Sequence, residues 1–150
     1  MSQIIIRQAT SNDAELLAQL VITVHQLHVD NVPERYKPLE PDNPALIASY
    51  EKHLMNSNTT IYIAEIDTVA VGFVMCIYTV IPENPYVYSK GEFHIDQISV
   101  NAGYQGQGIG KLLMQQAMQQ AKEVKADIVT LGVTAFNERA IQFYEDLGFS

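Results

Sequence analysis

Residues 95–121 read "IDQISVNAGYQGQGIGKLLMQQAMQQA", and this stretch decides the fold. An alternating apolar run ends at Val100, three glycines follow at alternate positions (Gly106, Gly108, Gly110), and a helical pattern begins at once. Each glycine weakens a helix start by up to roughly 1 kcal/mol. A chain tolerates that cost where its backbone must approach something closely. The first N–H groups of a helix are unpaired and carry partial positive charge, and glycine puts no Cβ in the way of an anion. A strand, a glycine-rich turn and a helix start together make an anion site.

The apolar alternation before the glycines carries a second signal. Phe93 and Ile95 share one parity, Ile98 and Val100 the other. A regular strand cannot keep both pairs on one face, but one added residue can, so a β-bulge is expected at about Asp96–Gln97. A strand buried on both faces would also read this way.

The remaining chain predicts a mixed α/β order. "QIIIRQA" (3–9) reads as a strand, and Asn12 with Glu15 offers a capping-box start. Apolar residues at helical spacing from Leu16 to Leu27 predict a first helix running to about His28. Four prolines between 31 and 44 leave a long loop, of a length that is often functional. A second helix is expected over about 45–56, then a hairpin around Asp67–Thr68, a loop "PENPYVYSKG", and the strand "EFHIDQISV". A long helix over 108–125, a strand "DIVTLGV" and a last helix over 137–147 complete the order. The antiparallel start and the strand–helix–strand unit, whose strands must run parallel, give one α/β domain with a mixed sheet over 1–150.

Composition narrows the function. The net charge of −8 argues against general nucleic-acid binding and mildly favours a cationic small substrate. A single cysteine, Cys76, fits a reducing compartment and reads as a buried hydrophobe rather than a nucleophile. No membrane-length apolar run or leader is evident, so a cytoplasmic protein is expected. His25 and His28 share a helix face while His53 and His94 lie elsewhere, a pattern of solvated histidines rather than a metal site.

Three phosphate-binding motifs compete for the glycines. A Walker A loop needs glycine where Gln105 stands and Ser or Thr where Leu112 stands. A dinucleotide fingerprint needs its third glycine at Lys111 and an acidic residue ending the next strand, which Asp127 instead begins. "QGQGIG" does match Q/R-x-x-G-x-G/A, and with it the chain resembles the GNAT superfamily of N-acetyltransferases. "IVTLGVTAFNERAIQFYEDLGF" (128–149) is similar to that family's following strand and helix. The resemblance is specific over 92–149 and only architectural over 1–91.

The resemblance implies a GNAT-like acyl-CoA N-acyltransferase fold and direct acetyl transfer from acetyl-CoA to an amine, without a metal. It implies that Gln105, Gly106, Gln107, Gly108, Ile109 and Gly110, with Lys111 adjoining, face the pyrophosphate. Main-chain groups of Ile98, Ser99 and Val100 would pair with the pantetheine arm, and one N–H there would polarise the thioester carbonyl. Asn137 would touch the arm or cap the last helix, or both. Tyr144 would protonate the departing thiolate, or else be a core aromatic. Asp96 or Glu92 would accept the amine's proton through water. The first helix end with "HVDNVPERYKPLEPDNP" (28–44) and the loop "PENPYVYSKG" are expected to form the opposite wall and select the acceptor, since both mix acidic residues (Asp30, Glu34, Glu40, Asp42, Glu83) with tyrosines (Tyr36, Tyr86, Tyr88). Family members usually continue into one or two further strands after the equivalent of "LGF", which implies a shortened chain, an open sheet edge or a partner such as a second copy. A non-catalytic module that holds acyl-CoA is the alternative.

Overall fold

The computed structural model describes residues 3–132 and 138–149. Five strands form one sheet in the order β1 (Ile4–Gln8), β2 (Thr59–Ile66), β3 (Val69–Ile81), β4 (Lys90–Val100) and β5 (Ile128–Leu131). The first four are antiparallel in sequence, and β5 runs parallel to β4. Asp67 and Thr68 turn the β2–β3 hairpin at φ of 50° and 68°, the left-handed geometry of a tight hairpin.

Period-two alternation in β3 splits the core between the two faces. Phe73 and Met75 face helices α1 (Ala14–Leu20) and α3 (Pro44–Met55), packing with Leu17, Leu20 and Tyr50. Val74 and Cys76 face α4 (Ile109–Glu123), packing with Leu113, Met114 and Ala117. Each such fully buried large side chain contributes about 1.5–3 kcal/mol. Helix α5 (Glu138–Asp146) lies on the α4 side, its Tyr144 buried in the same cluster. Asn43 starts α3 by accepting from the N–H groups of Ala45 and Leu46, with Pro44 at the first helical position.

The bulge falls where the parity break puts it. Met75 faces Gln97 and Cys76 faces Ile95, so Asp96 is the extra residue. Phe93, Ile95, Ile98 and Val100 consequently all pack on the α4 side.

Two expectations near the N-terminus are corrected. The capping box is made by Thr10 and Asp13, on a single 3-10 turn, rather than by Asn12 and Glu15. Arg7 holds Asp13 there through two 2.9 Å bonds, so the box is tied to β1 as well. The first helix is also interrupted at Val21 and resumes as α2 (Ile22–Asn31). At the break the Ser99 hydroxyl donates to the Leu20 carbonyl at 2.8 Å, a buried tie from β4 to the end of α1. No helix among the described residues is long and apolar enough to cross a membrane.

Candidate active site

The site begins where β5 stops short of β4. Pairing runs only from Glu92–Ile128 to Ile95–Leu131, whereas β4 continues to Val100. The far end of this seam is closed by Asp127, whose carboxylate accepts from the Gly91 N–H at 2.7 Å and whose own N–H donates to the Gly91 carbonyl. The strands are thus clamped at that end, and beyond the bulge Ile98 and Val100 line a cleft together with Gly132, just past β5.

Alternation decides which main-chain groups face that cleft. Asn101 donates to Val71 across the β3 side, so Ser99, two residues earlier and opposite Phe73, also spends its main chain on β3. Ile98 and Val100 point theirs the other way, toward the cleft. This narrows the expected Ile98–Ser99–Val100 set: Ser99 is 3% exposed, its hydroxyl is committed to Leu20, and its main chain to Phe73. The bulge at Asp96 is what flips the parity.

The glycine loop borders the same cleft. Gly106 and Gly108 take φ of 83° and 82°, and a Cβ at either would meet open space, so the left-handed backbone rather than crowding is what demands glycine. Gly108 stands at the N-cap of α4 and, having no side chain, caps none of the helix's first N–H groups. Gly110 sits against α5: a Cβ there would touch the Phe143 ring at 3.4 Å, at the edge of ordinary van der Waals contact. The Gln105 side chain braces the loop, donating to the Val100 carbonyl at 3.1 Å and accepting from Arg139 at 2.8 Å.

The cleft has a volume of about 1120 Å³. Its lining joins the β4 segment 95–100, the loop residues Gln105, Gly106 and Gly108, the start of α4 through Lys111, and Arg139, Phe143 and Tyr144 of α5. The opposite wall is α2 and Tyr36. Tyr144 is 7% exposed, and burial pushes its phenol up to about 12. Asp96 lines the cleft from the bulge, with one oxygen 3.8 Å from His94 Nε2.

Several expected residues stand elsewhere. Glu92 accepts from the Thr130 hydroxyl of the neighbouring strand at 2.8 Å and does not line the cleft. Gln107 is exposed at the loop's outer side, away from the lining. Asn137 lies outside the described residues. Tyr86 and Tyr88 are 94% and 87% exposed on the β3–β4 connection, away from the cleft, and none of the acidic residues of the 31–44 loop lines it. Cys76 is buried under the sheet, its thiol pushed up to about 12. Among the described residues no group of three or more His, Cys, Asp or Glu side chains could hold a metal ion.

Of the wall residues, Tyr36 stands among the aromatics expected there from the sequence, whereas His25 and His28 read only as solvated. His25, His28 and Tyr36 gather at the α2 side, with His28 and Tyr36 rings 4.9 Å apart. Arg139 was also missed, although a cation in the first turn of the helix that faces a glycine loop is a readable signal for an anion site.

Whether these residues fit an acyl-CoA can be judged from the cradle itself. Two glycines in left-handed geometry with open space beside them, an uncapped helix N-terminus, and Lys111 and Arg139 nearby suit a diphosphate. The β4 segment past the bulge suits an extended amide-bearing arm.

Known proteins agree with this geometry. The chain is 33% identical over 105 residues to an N-alpha-acetyltransferase of Sulfurisphaera tokodaii, covering 67% of this chain and 62% of that protein. It is 34% identical over 82 residues to the L-ornithine N5-acetyltransferase of Arabidopsis thaliana, 55% of this chain and 34% of that one. The matched segment thus spans less than two thirds of these relatives' length. Among solved structures, a tetramutant of the BH1408 protein of Bacillus halodurans superposes with a TM-score of 0.88 at 25% identity, covering 97% of this chain and 93% of that one. An aminoglycoside N-acetyltransferase in complex with CoA shares the fold at a TM-score of 0.75 and 19% identity, over 100% of this chain and 90% of that one. The acetyltransferase (GNAT) family model matches residues 22–149, and the chain belongs to that family.

Proposed function

We propose that this protein is an N-acetyltransferase that moves the acetyl group of acetyl-CoA directly to a primary amine bound in the same cleft. The observation that carries this reading is the one cleft shared by the β4 segment past the bulge and the glycine loop. It brings that strand segment, a helix N-terminus and a buried tyrosine around one space. Bound acetyl-CoA supplies an activated thioester.

The chain's own residues do the rest. Loop and helix-start N–H groups between 106 and 111 hold the diphosphate, with Lys111 and Arg139 adding charge. The edge groups of Ile98 and Val100 line up the arm, and an N–H there faces the thioester oxygen as negative charge develops. Asp96 takes the proton that the ammonium must lose before it can attack. Tyr144 donates its phenolic proton to the departing sulfur, and burial keeps that phenol protonated at neutral pH. Transfer is direct because the single thiol, Cys76, is buried away from the cleft.

Thiol release from acetyl-CoA, measured with a panel of amines, tests the proposal. Amine-dependent release is expected. Tight acetyl-CoA binding with no release for any amine would contradict it and leave a holding module.

A further inference from the structure

We infer that the acceptor is an amine with a single positive charge on an aromatic or branched apolar body, and not a polycation. This rests on reading the cleft as an acetyltransferase site. The cleft has two chemically different ends. Its cofactor end holds the fixed cations Lys111 and Arg139, which suit a diphosphate. Its other end is walled by Val24 and Leu27 of α2 and by the rings of His25, His28 and Tyr36.

That ring cluster is held in place. The His28 and Tyr36 rings meet edge-on at 4.9 Å, and His25 and Tyr36 meet edge-on at 6.1 Å. Both imidazoles are pinned by main-chain carbonyls: His25 Nε2 donates to Lys37 at 2.7 Å, and His28 Nδ1 donates to Val24 at 2.9 Å. A carbonyl can only accept, so each of these nitrogens carries its proton. Pinned rings offer an aromatic body edge and face contacts at little entropic cost.

Charge decides against a polycation. Asp96 is the one carboxylate among the described residues that line the cleft, enough to face one ammonium. The chain's excess acid does not help, since Asp30, Glu34, Glu40 and Asp42 all lie outside the lining. The Arg35 guanidinium already sits 5.3 Å from the Tyr36 ring centre, so that aromatic shelf carries a cation. A second or third ammonium would lose its water in the cleft and find no further carboxylate among the described lining residues.

Four probes separate the possibilities: 2-phenylethylamine, a tetrapeptide starting with phenylalanine, spermidine and kanamycin. Each is assayed by thiol release, and each is titrated by calorimetry into CoA-saturated protein. At least one of the first two should exceed both polycations about tenfold or more in kcat/KM and in affinity. The two aromatic arms tell a free small amine from a peptide N-terminus. Tyr36→Ala should raise KM for the preferred aromatic probe about two- to tenfold, and Tyr36→Phe should not, with acetyl-CoA affinity unchanged in both. Spermidine or kanamycin matching the aromatic probes, or an unchanged KM in Tyr36→Ala, overturns the inference. If no amine releases thiol, the acetyltransferase reading fails by itself. The calorimetric ranking then still decides, and failure of the aromatic probes to bind more tightly than the polycations overturns the inference.

Discussion

The cofactor side and the acceptor side of the cleft are built in different ways. On the proposed cofactor side the groups assigned to binding are main-chain N–H groups, and what places them is local: one bulge residue, two left-handed glycines and a helix start within 96–111. On the acceptor side they are side chains drawn from distant segments, brought together by a helix interruption and the path of a proline-rich loop. A side made of backbone geometry tolerates change at most side chains. A side made of side chains can change its substrate without disturbing the fold. The two should therefore respond independently to mutation.

The largest effect is expected where the sides meet. Tyr144→Phe removes the proposed proton donor while keeping the ring packed against Phe143 and Phe149. Steady-state kinetics should show kcat lower by about 10²–10⁴ with acetyl-CoA affinity retained. Wild-type turnover in this variant would make Tyr144 a core residue only. Because the phenol is held at about 12, its proton should not limit kcat anywhere near neutral pH.

A sharper separation comes from Gly108→Val. Left-handed backbone strains any β-branched residue by about 1–2 kcal/mol, and the new methyls enter the open space beside the loop. Acetyl-CoA affinity should fall about 10- to 100-fold while the preference among amines stays as it was. Altered amine ranking would mean that the sides are coupled.

Ser99→Ala probes the opposite wall. It leaves the buried Leu20 carbonyl without its donor, at a cost of about 1–3 kcal/mol in denaturant unfolding. With the α1–α2 junction loosened, the acceptor KM should rise more than the acetyl-CoA Kd. Equal changes in both would break the comparison.

The smallest effect is a control on the far side of the sheet. Arg7 hydrogen-bonds Asp13 and so holds its carboxyl below the usual range, against the opposing effect of burial. Arg7→Met should cost about 1 kcal/mol at neutral pH with kinetics unchanged. A depressed carboxylate stabilises above its unfolded pKa, and that stability is lost as the pH falls through the folded value. The gap between wild type and variant should therefore close on acidification; thermal melts across pH check this.

How much could be read beforehand follows the same division. The strand order, the bulge at Asp96 and the glycine loop obey short-range rules, parity and φ, which a sequence displays directly. The break at Val21 does not, because apolar spacing from Leu16 to Leu27 continues straight through it; its tie comes from Ser99, 79 positions away. Glu92 misled because an exposed strand face was assumed, whereas Thr130 of the parallel neighbour takes its carboxylate. Tyr36 was legible as a wall aromatic, but His25 and His28 beside it stayed hidden because i, i+3 histidines look solvated until the loop folds a tyrosine against them. Within the loop, Gln105 was counted as one more N–H donor, yet its side chain proves to be the brace between β4 and α5.

The central claim is that acyl-CoA is held by main-chain N–H groups of the 106–111 segment and of the β4 edge. Amide NMR during a titration with CoA tests it most directly. The account predicts large shifts for Gly106, Gly108, Ile109, Gly110, Ile98 and Val100, with Ser99 changing less and the Tyr86–Tyr88 segment remaining still. Saturable binding that leaves the 106–111 amides unmoved would contradict it.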